Sequence, residues 1–244
     1  KNKATELLSV KVFFLYMCRM FAYVGDSKEE LTKLYEALKE SAKNDVIASK
    51  YGLNPVHGDG WGYVIYDGER IYFYKSKNPI FTESLVLPSI EGKFYAIFHA
   101  RQATDKSTVS ARFAHPFYGD DENYFYFFAH NGSVDKEKLA HDLNFQGQTT
   151  IDSELALKFL IKNGIEKGID LLMKEYTKSA LNVFILRISR SDGSAELYYV
   201  NYYTRKDRSE YYKFYKTENA IFSSTLTYFG IRGVEVEEGK LLKL

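Results

Sequence analysis

One cysteine, one tryptophan and four prolines are all that this 244-residue chain holds of those types. A lone cysteine, Cys18, excludes an intramolecular disulfide and any zinc site built from several thiolates. Charge of one sign is missing too: the formal net charge is +1, which gives no general attraction to nucleic acid or to a membrane. The longest apolar run, residues 12–18, covers seven positions, far below the roughly 18 that span a bilayer. No repeat, low-complexity stretch or Pro/Gly/Ser-rich linker interrupts the chain, so its length suits one large domain.

What the chain does have is aromatic residues, 16% of the total, within a 45% hydrophobic composition. They fall in strand-like runs, which favours sheet. Residues 20–24 read as a short strand ended by Gly25. Ser27 and Glu30 form an S-x-x-E capping box, and Leu31, Leu34, Tyr35 and Leu38 share one helical face behind it. A second helix is expected near 46–51, with Gly52 as its stop. Residues 61–66 and 69–75 form a hairpin through Asp67-Gly68. Residues 94–99 and 124–130 barely alternate, as strands buried on both faces do. Helices are expected at 152–163 and 165–176. Strands follow at 181–188, 195–203, 211–215, 220–223, 234–236 and 240–244. Strands grouped at both ends with helices between predict an α+β fold.

Residues 1–16 differ in composition from the rest of the chain, carrying three Lys and one Glu. A basic start and a short apolar core resemble a secretory signal, but Glu6 and the lack of a small-residue cleavage site argue against one. The expectation is a cytoplasmic protein with residues 1–16 as a propeptide or mis-assigned start, and a domain over 17–244.

Five short segments pair Gly, His, Arg or Asn with a strand or helix end, where a rigid scaffold positions exposed groups. They lie at residues 17–20, 57–62, 99–104, 129–132 and 152–154. A lone cysteine is ordinarily a small buried hydrophobe. Here Arg19 follows and is placed to stabilise a thiolate, and Met17 precedes. Removal of an initiator Met there leaves Cys18 with a free α-amine, which titrates near 7.7–8.0. Such an amine serves as general base for its own side chain, as in N-terminal threonine nucleophiles.

Asn131-Gly132 reads either as a turn or as an oxyanion hole made of the Asn131 amide and the Gly132 N–H. Arg101 ends a buried strand and is either a structural ion-pair member or a bidentate clamp for a substrate carboxylate. Asp152 opens a helix and is either an N-cap or an acceptor for a substrate ammonium, two roles that are compatible. The three glycines of 58–62 allow close backbone approach beside Trp61, as in a pocket wall. They lack a P-loop ending.

Taken in order, these segments resemble the class II glutamine amidotransferases of the N-terminal-nucleophile hydrolase superfamily, nearest to stand-alone members. The resemblance runs from Met17 over nearly all the remaining chain. It rests on Cys18-Arg19 with Tyr23 and Gly25, residues 57–62 and 99–104, His115-Pro116-Phe117, His130-Asn131-Gly132, and Asp152-Ser153-Glu154. It implies a four-layer αββα sandwich of two antiparallel sheets, Cys18 as nucleophile with its α-amine as base, and Asn131 and Gly132 as the oxyanion hole. Arg101 and Asp152 would hold the glutamyl carboxylate and ammonium, with Trp61, Gly62, Thr104 and His99 in the substrate-binding set. No cofactor and no metal are expected. The implied substrate is a small γ-glutamyl compound, with no nucleic acid or membrane partner. A homo-oligomer or a separate ammonia-accepting partner stays open, as no synthase domain is expected within these residues.

Two positions depart from the family pattern: Ile151 stands where Thr commonly precedes Asp-Ser-Glu, and Ser224-Thr225 where Ser-Glu is common. Three rivals stand beside this reading. One is a Cys-His thiol hydrolase using His57, His99, His115, His130 or His141. The second is a metal hydrolase using those histidines and Asp59, and the third a catalytically silent binding module that keeps the residues before Cys18.

Overall fold

The computed structural model describes residues 17–244; the expectations for residues 1–16 lie outside them. Strand β1 (Arg19–Gly25) leads into helices α1 (Lys28–Lys43) and α2 (Val46–Lys50). Strands β2 (Trp61–Tyr66), β3 (Ile71–Ser76), β4 (Phe94–Ala100), β5 (Phe117–Asp120) and β6 (Tyr124–Val134) follow. Next come α3 (Lys136–Asp142), α4 (Asp152–Asn163) and α5 (Ile165–Leu171), the last running into a wider π turn at Leu172–Tyr176. The chain closes with β7 (Thr177–Ser189), β8 (Ala195–Val200), α6 (Ser209–Tyr212), β9 (Phe214–Lys216), β10 (Ala220–Ser223), β11 (Val234–Glu235) and β12 (Leu241–Lys243).

Among the described residues the strands form two antiparallel sheets, ordered β11-β9-β10-β1-β4-β2-β3 and β12-β8-β7-β6-β5. The period-two geometry of a strand explains how they stack. Phe21 and Tyr23 of β1, with Trp61 and Phe98, face α1 and pack on Leu31, Leu34, Tyr35 and Leu38. Met20 and Ala22, with Val64 and Ile97, face the other way and meet Phe127, Ala129, Phe184 and Leu186 of the second sheet. On that sheet's outer side Phe128, Leu181, Val183 and Ile185 pack on Leu155, Phe159 and Leu160 of α4. Each such fully buried side chain contributes roughly 1.5–3 kcal/mol. The layers are helix, sheet, sheet, helix, as the resemblance implies.

Local differences from the sequence expectations have physical causes. Ser27 caps α1 by accepting from the Glu30 N–H at 3.1 Å, but the Ser27 N–H is taken by the Tyr23 hydroxyl at 3.0 Å, so the box is half made. Tyr211 and Tyr212, expected in a strand, are helical; the Tyr212 carbonyl instead accepts from Asn182 and Asn201. Asn131-Gly132 is not a turn. Strand β6 runs through it, with a bulge between Gly132 and Val134.

Candidate active site

The site lies where β1 begins, β4 ends and α4 begins, beside the last residues of β6. Arg19 pairs with Ala100, so Cys18 sits next to the chain leaving β4. Its Sγ accepts the Gln102 backbone N–H at 3.4 Å. From the other sheet Asn131 reaches across and binds both sides of the Cys18 peptide. Its Oδ1 accepts the Cys18 N–H at 2.7 Å, and its Nδ2 donates to the Cys18 carbonyl at 2.7 Å. A carboxamide NH₂ carries two hydrogens, so one donor remains beyond the bond to that carbonyl.

Gly132 follows at φ 135°, and a Cβ there would stand 2.0 Å from the Ala180 carbonyl oxygen. Only glycine fits that conformation and that approach. The Arg101 guanidinium, 5% exposed as a residue, is held by the Thr108 carbonyl at 2.9 Å and the Thr108 hydroxyl at 2.8 Å. Both partners are neutral. Burial lowers the Arg101 pKa, while Cys18, Asp59 and Asp152 lie near enough to favour its charge. An arginine so placed has a planar fork and no direct ion pair among the described residues, which suits a carboxylate ligand.

Asp152 is not the cap of α4. Ile151 holds that position, without a side-chain cap bond, and Asp152 is the first helical residue. Its Oδ2 accepts the Val134 N–H at 3.0 Å and its Oδ1 the Ser153 N–H at 2.9 Å. It thus ties the helix to the strand carrying Asn131 and Gly132.

Burial pushes the Cys18 thiol up to about 11, with the Gln102 N–H and then Arg101 pulling it back. The thiol therefore keeps its proton at neutral pH. Arg19 also lowers the thiol pKa, but least of these three. It is fully buried, with Nε 2.5 Å from Asp45, its guanidinium 4.1 Å over the Tyr211 ring, and Nη1 3.3 Å from the Cys18 carbonyl. Burial alone would raise the Asp45 carboxyl, but Arg19 and His57 beside it hold it well below the usual carboxylate range.

No histidine bonds the Cys18 sulfur among the described residues. His57 bonds Asp45 at 2.8 Å, and His130 bonds Ser153 at 2.9 Å and the Ala180 carbonyl at 3.1 Å. The His115 Nδ1 accepts the His130 N–H at 3.1 Å. His141 is exposed beside Asp142. Among the described residues no three His, Cys, Asp or Glu side chains converge as a metal site requires.

The sequence profile of the class II glutamine amidotransferases matches residues 17–191. This chain belongs to that family. Two solved structures share the fold. One is the glutamine phosphoribosylpyrophosphate amidotransferase from B. subtilis complexed with ADP and GMP, 20% identical at a TM-score of 0.61. The other is described as the allosteric regulatory enzyme of purine biosynthesis, 18% identical with a TM-score of 0.61. Each match covers 93% of this chain and 47% or 46% of the other, so the chain spans about half the length of these neighbours. Comparison with curated protein sequences found no match.

Within this amidotransferase domain some expected substrate contacts lie elsewhere. Trp61 is 1% exposed on the opposite face of the sheet, its indole N–H 2.7 Å from Glu83 and its rings against Tyr35 and Tyr74. Its side chain is core, not pocket wall. Gly62 serves packing: a Cβ there would meet the His115 carbonyl oxygen at 2.4 Å. His99 is fully buried, stacked on His115 at 4.1 Å, and bonded at 3.2 Å to the His130 carbonyl, so it supports the Asn131 segment from behind. Thr104 is exposed on the loop after Gln102.

The two departures from the family pattern are accommodated. Thr150, one residue early, donates to Glu154 at 2.7 Å. Thr225 donates to Asp45 at 2.8 Å. Asp45 itself is not among the residues that the sequence singles out. Its one signal is its place before α2, where Oδ1 caps the Ile47 and Ala48 N–H groups at 3.0 Å. Gln102 acts through its backbone, which no side-chain motif reveals. No helix among the described residues is long and apolar enough to cross a membrane.

Proposed function

We propose that this chain hydrolyses a γ-glutamyl amide through a thioester on Cys18, with the Cys18 α-amine as base once Met17 and the residues before it are removed. The observation that carries this reading is the convergence on Cys18 of Asn131, which grips its backbone from the opposite sheet, and of Arg101, whose charge lies beside its thiol.

The α-amine takes the thiol proton and Sγ attacks the γ-carbonyl. The second Asn131 N–H and the Gly132 N–H stabilise the oxyanion, each such donor being worth about 10²–10³ in rate. The amide C–N bond breaks, and the leaving nitrogen collects the proton from the α-ammonium. Water then cleaves the thioester, giving glutamate and the thiol. Arg101 holds the glutamyl carboxylate and Asp152 its ammonium. A thiol pushed up to about 11 explains why the nearby amine, near 7.7–8.0, is needed. The committed hydrogen bonds of the buried histidines disfavour a Cys-His pair.

The test compares ammonia release from glutamine by the full chain and by a chain begun at Met17, each with its N-terminus fixed by intact mass, and with Cys18→Ala as control. Activity confined to protein that starts at Cys18 is the expected result. Equal activity with residues 1–17 retained refutes the amine mechanism.

A further inference from the structure

Met17 is not a surface residue. It is 1% exposed and packs in one cluster with Ile47, Ala48, Ala180, Tyr203, Tyr211 and Tyr212. Ala180 belongs to this cluster and also to the site. Its carbonyl oxygen is the atom 2.0 Å from a Cβ placed on Gly132, and it accepts from His130. The pocket that Met17 fills therefore shares a wall with the segment carrying the oxyanion donors.

That wall is not wholly apolar. Tyr211 and Tyr212 are 1% and 0% exposed, and neither hydroxyl has a hydrogen-bond partner among the described residues. The same holds for Arg19 Nη2, on the guanidinium that lies over the Tyr211 ring. Buried donors without acceptors are rare in folded proteins. Three in one neighbourhood call for a ligand that brings an acceptor.

The chemistry puts the leaving group in the same place. The leaving nitrogen collects its proton from the Cys18 α-amine, so it comes within about 2.6–3.2 Å of that nitrogen. The amine is the atom to which Met17 was joined. A substituent on the leaving nitrogen therefore starts beside the space that the Met17 side chain occupied, whereas free glutamine has only hydrogen to put there.

Resting on the reading of Cys18 as an N-terminal nucleophile, we propose that the pocket vacated by Met17 is the leaving-group subsite. Its substrate is a γ-glutamyl dipeptide whose second residue carries an apolar side chain of methionine or leucine size. That residue's carboxylate is the acceptor that Tyr211, Tyr212 and Arg19 lack. The bond broken is the γ-amide C–N bond. The free amino acid leaves with the proton lent by the thiol, and water completes glutamate and restores the thiol.

Both sheets and all the packed layers described lie within residues 17–244, and a chain begun at Met17 is used once its circular dichroism and melting curve match those of the full chain. With that chain processed to Cys18, kcat/KM is measured for γ-glutamyl-methionine, γ-glutamyl-glycine and glutamine. The expected ratio of γ-glutamyl-methionine to γ-glutamyl-glycine is tenfold or more, since about one methylene in a fitted pocket is worth roughly 10–200-fold. Ala48→Leu narrows the pocket and brings that ratio towards one. Tyr212→Phe, a smaller change, lowers the dipeptides relative to glutamine.

Equal kcat/KM for all three substrates overturns the subsite and leaves the Cys18 chemistry standing. Failure to turn over any of them, with the amine shown to be free, overturns the catalytic reading. Calorimetry on Cys18→Ala then decides the subsite alone: tighter binding of γ-glutamyl-methionine than of γ-glutamyl-glycine supports it, and equal or absent binding overturns it.

Discussion

Lowering the pH from 7 to 5 separates the buried histidines from a role as base. His99 is fully buried, and that burial lowers its pKa to about 3. In the unfolded chain it titrates near 6.5. Between those values the unfolded state carries a proton that the folded state refuses. Stability is therefore full above about pH 6.5 and falls as the pH drops towards 3. At 1.36 kcal/mol per unit, the fall from 6.5 to 5.0 removes about 2 kcal/mol for His99 alone. Burial shifts His57, His115 and His130 in the same direction, so they add to the loss. The depressed Asp45 carboxyl works only below about pH 4, where its unfolded form begins to protonate. Urea unfolding at pH 7.0, 6.0 and 5.0 measures the slope, with the single Trp61, buried against Tyr35 and Tyr74, as fluorescent reporter. A stability that stays flat from pH 7 to 5 would refute the reasoning. It would mean that folded His99 exchanges protons freely and is open to serve Cys18 as a base.

Gly132→Ala forces a side chain into a positive-φ position and onto the Ala180 carbonyl. A cost of about 3 kcal/mol or more is expected, or roughly 6–12 °C in Tm for a chain of this size; an unchanged melting curve contradicts the bulge geometry. Arg101→Lys keeps the charge but loses the fork, so KM should rise about tenfold or more with a smaller change in kcat, and steady-state kinetics showing KM unmoved removes Arg101 from substrate binding. Asp45→Asn leaves Arg19 buried without its counter-charge and should cost about 3–5 kcal/mol in denaturant unfolding. A loss under 1 kcal/mol there would show that Arg19 needs no partner.

Much of the sheet was legible because a β-favouring run with a turn signal at its end is a local property. Residues 20–24 stop at Gly25, and residues 61–66 lead into Asp67-Gly68. The period of two in a strand already separates Trp61 from Gly62, since neighbours on a strand face opposite ways. With Trp61 in the core beneath α1, the pair cannot line one pocket together. Strand β5 was not legible: Phe117–Asp120 is four residues held at a sheet edge by β6. Helix α3 is mostly polar and buries only Leu139, so no apolar stripe marks it. Within the site, Cys18, Arg101, Asn131 and Asp152 stood out because each falls at the edge of a predicted strand or helix and the four come in one order along the chain. Asp45 did not, because its partners Arg19, His57 and Thr225 lie 26, 12 and 180 residues away. Chain distance hides what the tertiary fold assembles.

The grip of Asn131 on Cys18 bears on how a chain terminus behaves. Terminal residues ordinarily fray, and a reactive group carried on one samples many orientations. Here the carbonyl of Cys18 is held by Asn131 and Arg19, and its sulfur by the Gln102 N–H. None of these bonds involves the Met17–Cys18 peptide linkage. Cutting that linkage changes the nitrogen held by Asn131 Oδ1 but leaves the new first residue anchored at its carbonyl and its sulfur, so less of its order has to be made when substrate arrives.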